Sequence, residues 1–192
     1  MQSIETTRLI MRNFQAGDEA KLFEYLHAPT SSCFFDLKLE NLEAARNEVS
    51  KRAGNDGSIA VCLKDTGRLI GDLFWHSDDE GREQSGAPSR ADTFSVGWNF
   101  NPRFGGKGYA LEASRALCNN LFGNRGARRI YAYVEDHNAP SRRLCEKLGM
   151  REEGLFLEYV SFQNDSAGHP IYENTMQYAI LAREWDMTTN AG

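Results

Sequence analysis

Apolar and polar residues alternate along several short stretches of the chain, and this pattern predicts β-strands. The clearest stretch is residues 93–100, where Phe94, Val96, Trp98 and Phe100 share one face. Strand character also appears in residues 8–14, 58–63, 69–75, 129–134, 151–161 and 174–181. The stretches 58–63 and 69–75 are joined by a short turn, so we expect them to form a hairpin.

Helical spacing of apolar residues, in steps of three and four, appears elsewhere in the chain. It covers residues 20–26, 40–52, 109–121 and 139–148. The third of these helices lies between strands 93–100 and 129–134, so the two strands should run parallel, joined by a right-handed crossover. The pattern predicts an α/β (α+β) fold with a mixed, mostly antiparallel sheet of six to seven strands and about four flanking helices.

A glycine-rich turn connects the strand 93–100 to the helix that follows it. Pro102 cannot donate to a sheet ladder, so strand pairing should stop there. Gly105, Gly106 and Gly108 lack a Cβ, so their backbone can turn sharply and approach a ligand closely. The free N–H groups and the partial positive charge of the helix N-terminus point to the same place. The turn therefore predicts a site for a phosphate compound.

Spacing excludes two other phosphate-binding motifs at this turn. The dinucleotide fingerprint needs G-x-G-x-x-G, whereas residues 105–108 read Gly-Gly-Lys-Gly. The nucleoside-triphosphate loop needs Ser or Thr directly after its Gly-Lys pair, and Gly108 stands there instead. Neither motif describes the turn.

The composition is that of a globular protein, with 41% hydrophobic and 26% charged residues among 192. This length predicts one domain, residues 1–185, and a C-terminal tail, residues 186–192. A formal net charge of −5 argues against nucleic acid as a direct partner. The sequence has neither a long apolar run nor a secretion signal, so we expect a cytoplasmic protein without a membrane partner.

Neither the cysteines and histidines nor the long polar stretch of the chain adds a clear site. The four cysteines and four histidines are widely scattered, so no metal is predicted. Residues 76–91 are polar and contain an acidic cluster at 78–80, which predicts a surface loop. This loop either steers a cationic substrate or is an ordinary solvated surface.

The glycine turn contains a motif that resembles a family signature. Arg103-x-x-Gly106-x-Gly108 is similar to the R/Q-x-x-G-x-G/A motif of the GNAT N-acetyltransferases, whose amides hold the diphosphate of acetyl-coenzyme A (acetyl-CoA). The N-x-x-S motif at residues 138–141 and the E-K-L-G-M run at 146–150 resemble a second block of that family. The two ends of the chain resemble the RimJ/RimL-type branch, which acetylates protein N-termini. The likeness spans nearly the whole chain.

The resemblance implies the GNAT fold, in which the central parallel strands splay around acetyl-CoA as co-substrate. It implies that backbone amides near the end of strand 93–100 bind the thioester carbonyl and that the glycine turn binds the diphosphate. The implied cofactor-binding residues are Trp98, Asn99, Phe100, Arg103, Gly105, Gly106, Lys107, Gly108, Tyr109, Ala110, Asn138 and Lys147. Some have a plainer interpretation, since Arg103 and Lys107 are also typical solvated cations and Asn138 is a typical helix N-cap.

The resemblance also gives two candidate catalytic residues. Ser141, by its position on the helix after Asn138, is a candidate to assist the leaving thiolate. Glu158 lies in a segment that resembles the family's L-R-E-Y and is a candidate base or amine-orienting group. Cys145 stands where many relatives have a tyrosine that protonates the thiolate, so it is either a weak acid or a buried apolar residue.

The chemistry of acyl transfer favours one acceptor over others. Deprotonating a lysine-like amine at neutral pH costs roughly 4.6 kcal/mol, whereas an α-amino group costs only about 1 kcal/mol. An N-terminal acceptor therefore needs only a weak base, and the leading prediction is acetylation of a protein N-terminus. The alternatives are a small-molecule amine such as a polyamine, an amino acid or an aminoglycoside, and an inactive acetyl-CoA-binding module. Relatives are often homodimers, which leaves a dimer open.

Overall fold

A computed structural model describes residues 2–78 and 92–189 of the chain. Its sheet has eight strands in the order β1-β2-β3-β4-β5-β6-β8-β7. The strands are β1 Ile4–Glu5, β2 Leu9–Asn13, β3 Ser58–Leu63, β4 Leu69–Ser77, β5 Thr93–Phe100, β6 Arg129–Glu135, β7 Arg151–Asn164 and β8 Pro170–Leu181. The α-helices are α1 Glu19–Leu26, α2 Leu42–Ala53, α3 Tyr109–Asn124, α4 Ala139–Lys147 and α5 Ala182–Thr189. Two 3₁₀ helices, Ser32–Leu37 and Pro102–Phe104, complete the described elements.

The predicted mixed, mostly antiparallel sheet is confirmed, and so are the hairpin of β3 with β4 and the parallel pairing of β5 with β6. One strand more than predicted is present, because the two-residue β1 is too short to show a pattern in the sequence. The predicted loop at 76–91 differs at its start, since β4 continues to Ser77, and residues 79–91 lie outside the described residues.

The chain end differs from the predicted tail. Helix α5 runs past residue 185 to Thr189, while residues 190–192 lie outside the described residues. Trp185 anchors this helix, since its indole N–H donates to Asn119 Oδ1 at 2.8 Å and its ring packs on Phe122. Both contacts join residues more than sixty positions apart, so the local pattern could not predict them.

Each face of the sheet is covered by its own apolar cluster. Strand β3 shows the alternation directly, because Val61 packs with the α3 side and Ala60 and Cys62 pack with the α1–α2 side. On the first side Ala113, Leu117 and Leu121 of α3 lie one turn apart and fill the core. On the second side α1 and α2 cover the sheet through Leu22, Leu26, Ala45 and Val49. The α1–α2 layer covers β3 and β4, whereas the core residues of β5 and β6 all pack on the α3 side.

The parallel pair separates after three residues. Thr93, Phe94 and Ser95 pair with residues 129–131, but β5 continues to Phe100 and β6 to Glu135 without further pairing. On its other edge β5 stays paired with β4 as far as Phe100. The gap between β5 and β6 therefore opens toward their C-terminal ends.

Candidate active site

A cavity of about 550 Å³ fills the gap between the separated strands. Its walls are the C-terminal halves of β5 and β6, the start of α4, the glycine turn and the segment around the first 3₁₀ helix. Gly97, Trp98 and Asn99 line one side, and Tyr133 and Glu135 line the other. We call this space the transfer cavity.

The glycine turn has the geometry of an anion site. Gly106 and Gly108 have φ angles of +75° and +80°, which glycine adopts without the cost that a Cβ brings. In the described part of the chain, the backbone amides of residues 106–110 have no protein acceptor. A Cβ built on Gly106 would meet nothing within 4 Å, so this side of the turn is open. We call residues 106–110 the glycine cradle.

The remaining residues predicted at this turn lie around the cradle. The Gly105 amide donates to the Pro102 carbonyl at 3.0 Å, so it is not among the amides open to a phosphate. Arg103 and Lys107 are exposed cations, and the Lys107 Nζ lies 5.9 Å from the centre of the Phe104 ring. Among the described residues, neither cation lines the transfer cavity.

The backbone of β5 presents N–H groups to the cavity. The Asn101 amide donates to the Ile70 carbonyl, which fixes the antiparallel ladder so that the Asn99 amide also faces β4. By alternation, the amides of Trp98 and Phe100 face the opposite edge, where β6 has already separated. These two N–H groups are suited to bind a carbonyl oxygen.

The N-terminus of α4 closes another wall of the cavity. Asn138 caps the helix, since its Oδ1 accepts from the Ser141 amide at 3.2 Å. The Ser141 Oγ accepts a hydrogen bond from the Trp98 indole at 3.1 Å. Because an indole N–H can only donate, the Ser141 hydroxyl keeps its own hydrogen for another acceptor.

Besides Arg103, Lys107 and Gly108, three more predicted site residues do not line the transfer cavity. Tyr109 packs under the Arg8 guanidinium, and Lys147 is exposed at the end of α4. Glu158 is also exposed, with a φ of +48°, and its amide donates to the Asn174 side chain at 3.0 Å. Asn174 in turn donates to Asp136, the residue after β6.

Cys145 is fully buried in the core between α4 and the sheet. Burial, reinforced by the neighbouring Cys118, raises its pKa to about 12. The thiol does not line the transfer cavity. The geometry therefore fits a buried apolar residue and not an acid that serves the reaction.

The cavity walls also contain residues that the sequence analysis did not single out. Glu135, Arg143, Cys33 and Phe34 all line the transfer cavity. Strand alternation was the available signal for Glu135, since it shares a face with Tyr133. Cys33 and Phe34 lie in a stretch without regular spacing, and their position depends on contacts with distant strands.

A second cavity of about 340 Å³ adjoins the first. The two share Cys33, Phe34 and Phe74, and the second extends between β4, α2 and the first 3₁₀ helix. Its inner end holds Asp72 and Arg52, which form a buried ion pair at 3.0 Å. We call this space the side cavity.

Two other kinds of feature are absent from the described residues. None of the helices in residues 2–78 and 92–189 is long and apolar enough to span a membrane. The same residues contain no group of three or more histidine, cysteine or acidic side chains arranged to hold a metal ion.

Comparisons with known proteins agree with this geometry. A family model described as "Acetyltransferase (GNAT) domain" matches residues 8–151. The chain is 30% identical to the uncharacterized N-acetyltransferase YnaD of Bacillus subtilis (strain 168), with 95% of this chain and 99% of YnaD covered. It is 26% identical to the uncharacterized N-acetyltransferase p20 of Bacillus licheniformis, with 96% and 99% covered.

The fold also matches solved structures. A GNAT-family acetyltransferase from Bacillus anthracis matches with a TM-score of 0.79 and 29% identity, covering 95% of this chain and 100% of that one. A ribosomal-protein-S5-alanine acetyltransferase from Vibrio fischeri matches with a TM-score of 0.69, covering 96% and 99%. The second match has only 18% identity and shows the fold alone.

Proposed function

Because the chain belongs to the acetyltransferase (GNAT) family, and is thus an acetyl-CoA-dependent N-acetyltransferase, we propose that its acceptor is the N-terminal α-amino group of a protein or peptide. The observation that carries this proposal is the chemistry of the cavity walls. Among the described residues His76 lines the adjoining side cavity but no histidine lines the transfer cavity, so the transfer cavity itself lacks a side chain whose ordinary pKa is near neutrality. An α-amino group needs the least help to lose its proton, since its ordinary pKa is about 7.8.

The resemblance of both chain ends to the RimJ/RimL-type branch points to the same acceptor. The choice between acceptors therefore rests on the sequence motifs at the two ends of the chain. The fold match to the ribosomal-protein acetyltransferase, at 18% identity, does not contribute to it. The proposal keeps the predicted domain, residues 1–185, as the catalytic unit.

The glycine cradle fits the diphosphate of acetyl-CoA. Its unpaired amides and the N-terminus of α3 supply hydrogen bonds and partial positive charge to an anion. Arg143 on the cavity wall adds a cation that the sequence analysis did not include. In this proposal the amides of Trp98 and Phe100 bind the thioester carbonyl and stabilise the oxyanion.

In the reaction, the neutral amine attacks the thioester carbon, a C–N bond forms, and the C–S bond then breaks to release a thiolate. Ser141 is placed to hydrogen-bond the departing sulfur, because its hydroxyl hydrogen is not used by Trp98. The nitrogen must lose one proton in the course of the transfer. Glu158 remains the predicted base, and through Asn174 and Asp136 its backbone is connected to the end of β6.

A small primary amine is the second candidate acceptor. The observation that favours it is the side cavity, whose volume of about 340 Å³ suits a small molecule. Its opening is shared with the transfer cavity through Phe34 and Phe74. A peptide acceptor would place its first side chain in this space.

A substrate panel with a thiol-release assay separates the candidates. Peptides with free N-termini, the same peptides with blocked N-termini and an internal lysine, polyamines, amino acids and aminoglycosides are tested with acetyl-CoA. We expect release of CoA with free N-termini and not with the blocked peptides. Release with small amines alone would show that the α-amino proposal is wrong.

A further inference from the structure

Glu135 is the only carboxylate among the described residues that lines the transfer cavity. It is the last residue of β6 and only 6% exposed. Burying a charged carboxylate costs free energy, so the presence of Glu135 in the cavity wall calls for an explanation.

The strand register places Glu135 opposite the proposed carbonyl site. The last parallel pair is Ser95 with Tyr131, so four residues further along, Asn99 and Glu135 would be level with each other. At the rise of a strand, this level lies about 13 Å beyond the last pair, inside the gap. Glu135 therefore lies across the cavity from the β5 segment that presents the Trp98 and Phe100 amides.

The alternation of β6 decides which face of the sheet Glu135 occupies. It shares a face with Tyr133, while Val134 points into the core on the α3 side. On β4 and β5 the corresponding face carries Phe74 and Gly97, and Phe74 borders both cavities. Glu135 is therefore on the side of the sheet where the side cavity opens.

Two donors hold the Glu135 carboxylate in place. Its Oε1 accepts from the Cys33 amide at 3.2 Å, and its Oε2 accepts from Asn138 Nδ2 at 3.0 Å. A carboxylate has about four lone-pair positions, so both oxygens can accept further hydrogen bonds. Burial opposes ionisation, but the hydrogen bonds from Cys33 and Asn138 outweigh it and lower the pKa of Glu135.

The neighbouring charges leave this carboxylate available to a cation. Burial, together with Glu135, raises the pKa of the Cys33 thiol, which therefore stays neutral. Glu173, from β8, accepts a hydrogen bond from Ser32 and adds negative charge beside the same segment. Arg143 is the cation on the cavity wall, and among the described residues the hydrogen-bond partners of the Glu135 carboxylate are Cys33 and Asn138 and not Arg143.

We propose that Glu135 binds the protonated amine of the acceptor and positions its nitrogen toward the thioester carbon. The proposal rests on the acetyl-transfer function and holds for an α-amino group or a small amine. The ammonium donates to Glu135 on binding and loses one proton to the predicted base Glu158 or to water before attack. The neutral amine that attacks loses a second proton as the amide forms, and the departing thiolate can take this one up. Since its low pKa makes Glu135 a weak base, its part is recognition of the amine and not removal of the proton.

Binding of matched acceptors tests this assignment without turnover. A peptide with a free N-terminus is compared with the same peptide carrying a hydroxyl in place of the amine. Dissociation constants are measured by calorimetry with CoA bound, so that no acetyl group is available. We expect the wild type to bind the amine about tenfold or more tightly than the alcohol, as a charge-assisted hydrogen bond should give.

Two variants locate the source of this preference. Glu135→Gln should bind amine and alcohol with similar affinity, while Glu135→Asp, which keeps the charge, should retain part of the preference. Glu173→Gln is the matched control. Glu173 accepts a hydrogen bond from Ser32, next to the Cys33 that binds Glu135, but it does not line the transfer cavity. The Glu173→Gln variant should keep the wild-type preference. Thermal unfolding and the affinity for acetyl-CoA check that each variant is folded.

The outcomes separate this inference from the proposed acceptor. Equal affinity of the wild type for amine and alcohol overturns the role of Glu135, whether or not the variants fold. So does a folded Glu135→Gln variant that keeps the preference. If the wild type acetylates only small amines, the α-amino proposal fails, and the accepted amine and its alcohol analogue then provide the same test of Glu135.

Discussion

Arg8 Nη1 donates a hydrogen bond of 2.9 Å to the carbonyl oxygen of Lys107 in the glycine cradle. A trans peptide is planar, so fixing this carbonyl also directs the Gly108 N–H away from Arg8. The same guanidinium binds Glu112 through Nε at 2.6 Å and covers the Tyr109 ring at 4.6 Å. Arg8 therefore contacts one side of the cradle, and the Gly108 N–H points to the other side.

Replacing Arg8 by lysine should weaken acetyl-CoA binding while leaving the chemical step intact. Lysine keeps the charge, but it lacks the planar fork that binds Glu112 and the Lys107 carbonyl at once. We expect the Kd for acetyl-CoA to rise about tenfold, the cost of one lost charge-assisted hydrogen bond, with kcat at saturation little changed. Calorimetry and steady-state kinetics measure the two quantities.

Lys64→Ala is the matched control for Arg8. Lys64 and Arg8 both line a surface pocket beside Tyr109, and Lys64 pairs with Glu5, but it makes no contact with the cradle among the described hydrogen bonds and ion pairs. Its removal should leave the Kd for acetyl-CoA within about twofold, a difference far below that of one charge-assisted hydrogen bond. Equal losses in the two variants would show that acetyl-CoA binding does not depend specifically on the contact of Arg8 with the cradle.

Gly106→Asp should abolish acetyl-CoA binding in a protein that still folds. The Cβ at this position meets no atom within 4 Å, so the fold has room for the side chain. The positive φ adds a cost of roughly 1–2 kcal/mol, and the carboxylate places negative charge where the diphosphate should bind. We expect the affinity to fall by more than about a hundredfold, since both repulsion and lost amide contacts contribute. Calorimetry measures it.

Gly17→Asp separates backbone strain from loss of the site. Gly17 has a φ of +102° and also meets nothing within 4 Å, but it precedes α1 and does not line the transfer cavity. This variant should show a similar loss of unfolding free energy with normal acetyl-CoA affinity. Normal affinity in Gly106→Asp as well would refute the cradle assignment.

The parts of the site that the sequence predicts are those encoded locally. The alternation of β5, the glycine turn, and Asn138 capping α4 each depend on residues a few positions apart, and the structure contains all three. Glu135 directly follows the predicted strand 129–134, but its role depends on the separation of β5 from β6. That separation is a property of the sheet, which no local spacing encodes.

Contacts across long stretches of the chain were beyond the reach of the sequence. Arg8 is 99 residues from Lys107, and the Cys33 amide is 102 residues from the carboxylate it binds. Helix α5 depends likewise on Trp185 packing against α3. Periodicity predicts which face of an element is buried, whereas these pairings depend on how the elements assemble.

Ser141→Ala should lower kcat more than it changes the Kd for acetyl-CoA. The variant keeps the Asn138 cap, which uses the backbone amide, and removes only the hydroxyl that Trp98 orients. Because a thiolate leaves readily, with a thiol pKa of about 8.5, we expect a loss of about tenfold to a hundredfold, at the low end of acid catalysis. Single-turnover kinetics isolate this step.

Cys145→Ala is the comparison for Ser141. The thiol is buried and lies off the cavity wall, so its loss should cost about 1 kcal/mol of unfolding free energy through the small cavity left behind, with kcat unchanged. A fall in kcat as large as that of Ser141→Ala would instead make Cys145 the acid. An unchanged kcat in Ser141→Ala removes the serine from the mechanism.

The hydrogen bonds that join Glu112 of α3 to Thr6 and Arg8 should make the stability of the protein sensitive to acid. Burial opposes its ionisation, but hydrogen bonds from the Thr6 hydroxyl and from Arg8 outweigh burial and lower its pKa below the ordinary 4.5. A carboxyl group whose pKa is lowered on folding stabilises the protein above its unfolded pKa, and this stability is lost as the pH falls through the folded pKa. Glu112→Gln should therefore be less stable than the wild type at neutral pH, and the gap should narrow below about pH 4.5.

Thermal unfolding midpoints across this pH range measure the gap. Glu43→Gln provides the comparison, since Glu43 also lies in the first turn of a helix but is exposed. It should show no comparable gap at any pH. A gap for Glu112→Gln that is independent of pH would mean that the side chain stabilises the fold by packing and not by its charge.

Glu158 combines a predicted catalytic role with an unusual backbone. Its φ of +48° is the only positive φ of a non-glycine residue in the described chain, and it lies where β7 bulges against β8. Such a conformation costs about 1 kcal/mol or more in a residue with a Cβ, and this kind of strain is often retained at functional sites. Glu158→Gly relieves the strain but gives the unfolded chain more freedom, so its unfolding free energy should stay within about 1 kcal/mol of wild type.

Glu158→Gln keeps the Cβ and removes only the charge. If Glu158 accepts the proton of the amine, both variants should lose at least about tenfold in kcat, with acetyl-CoA affinity unchanged, as expected for a general base. Loss in the glycine variant alone would assign Glu158 to the shape of the bulge, and normal kcat in both would exclude it from the reaction.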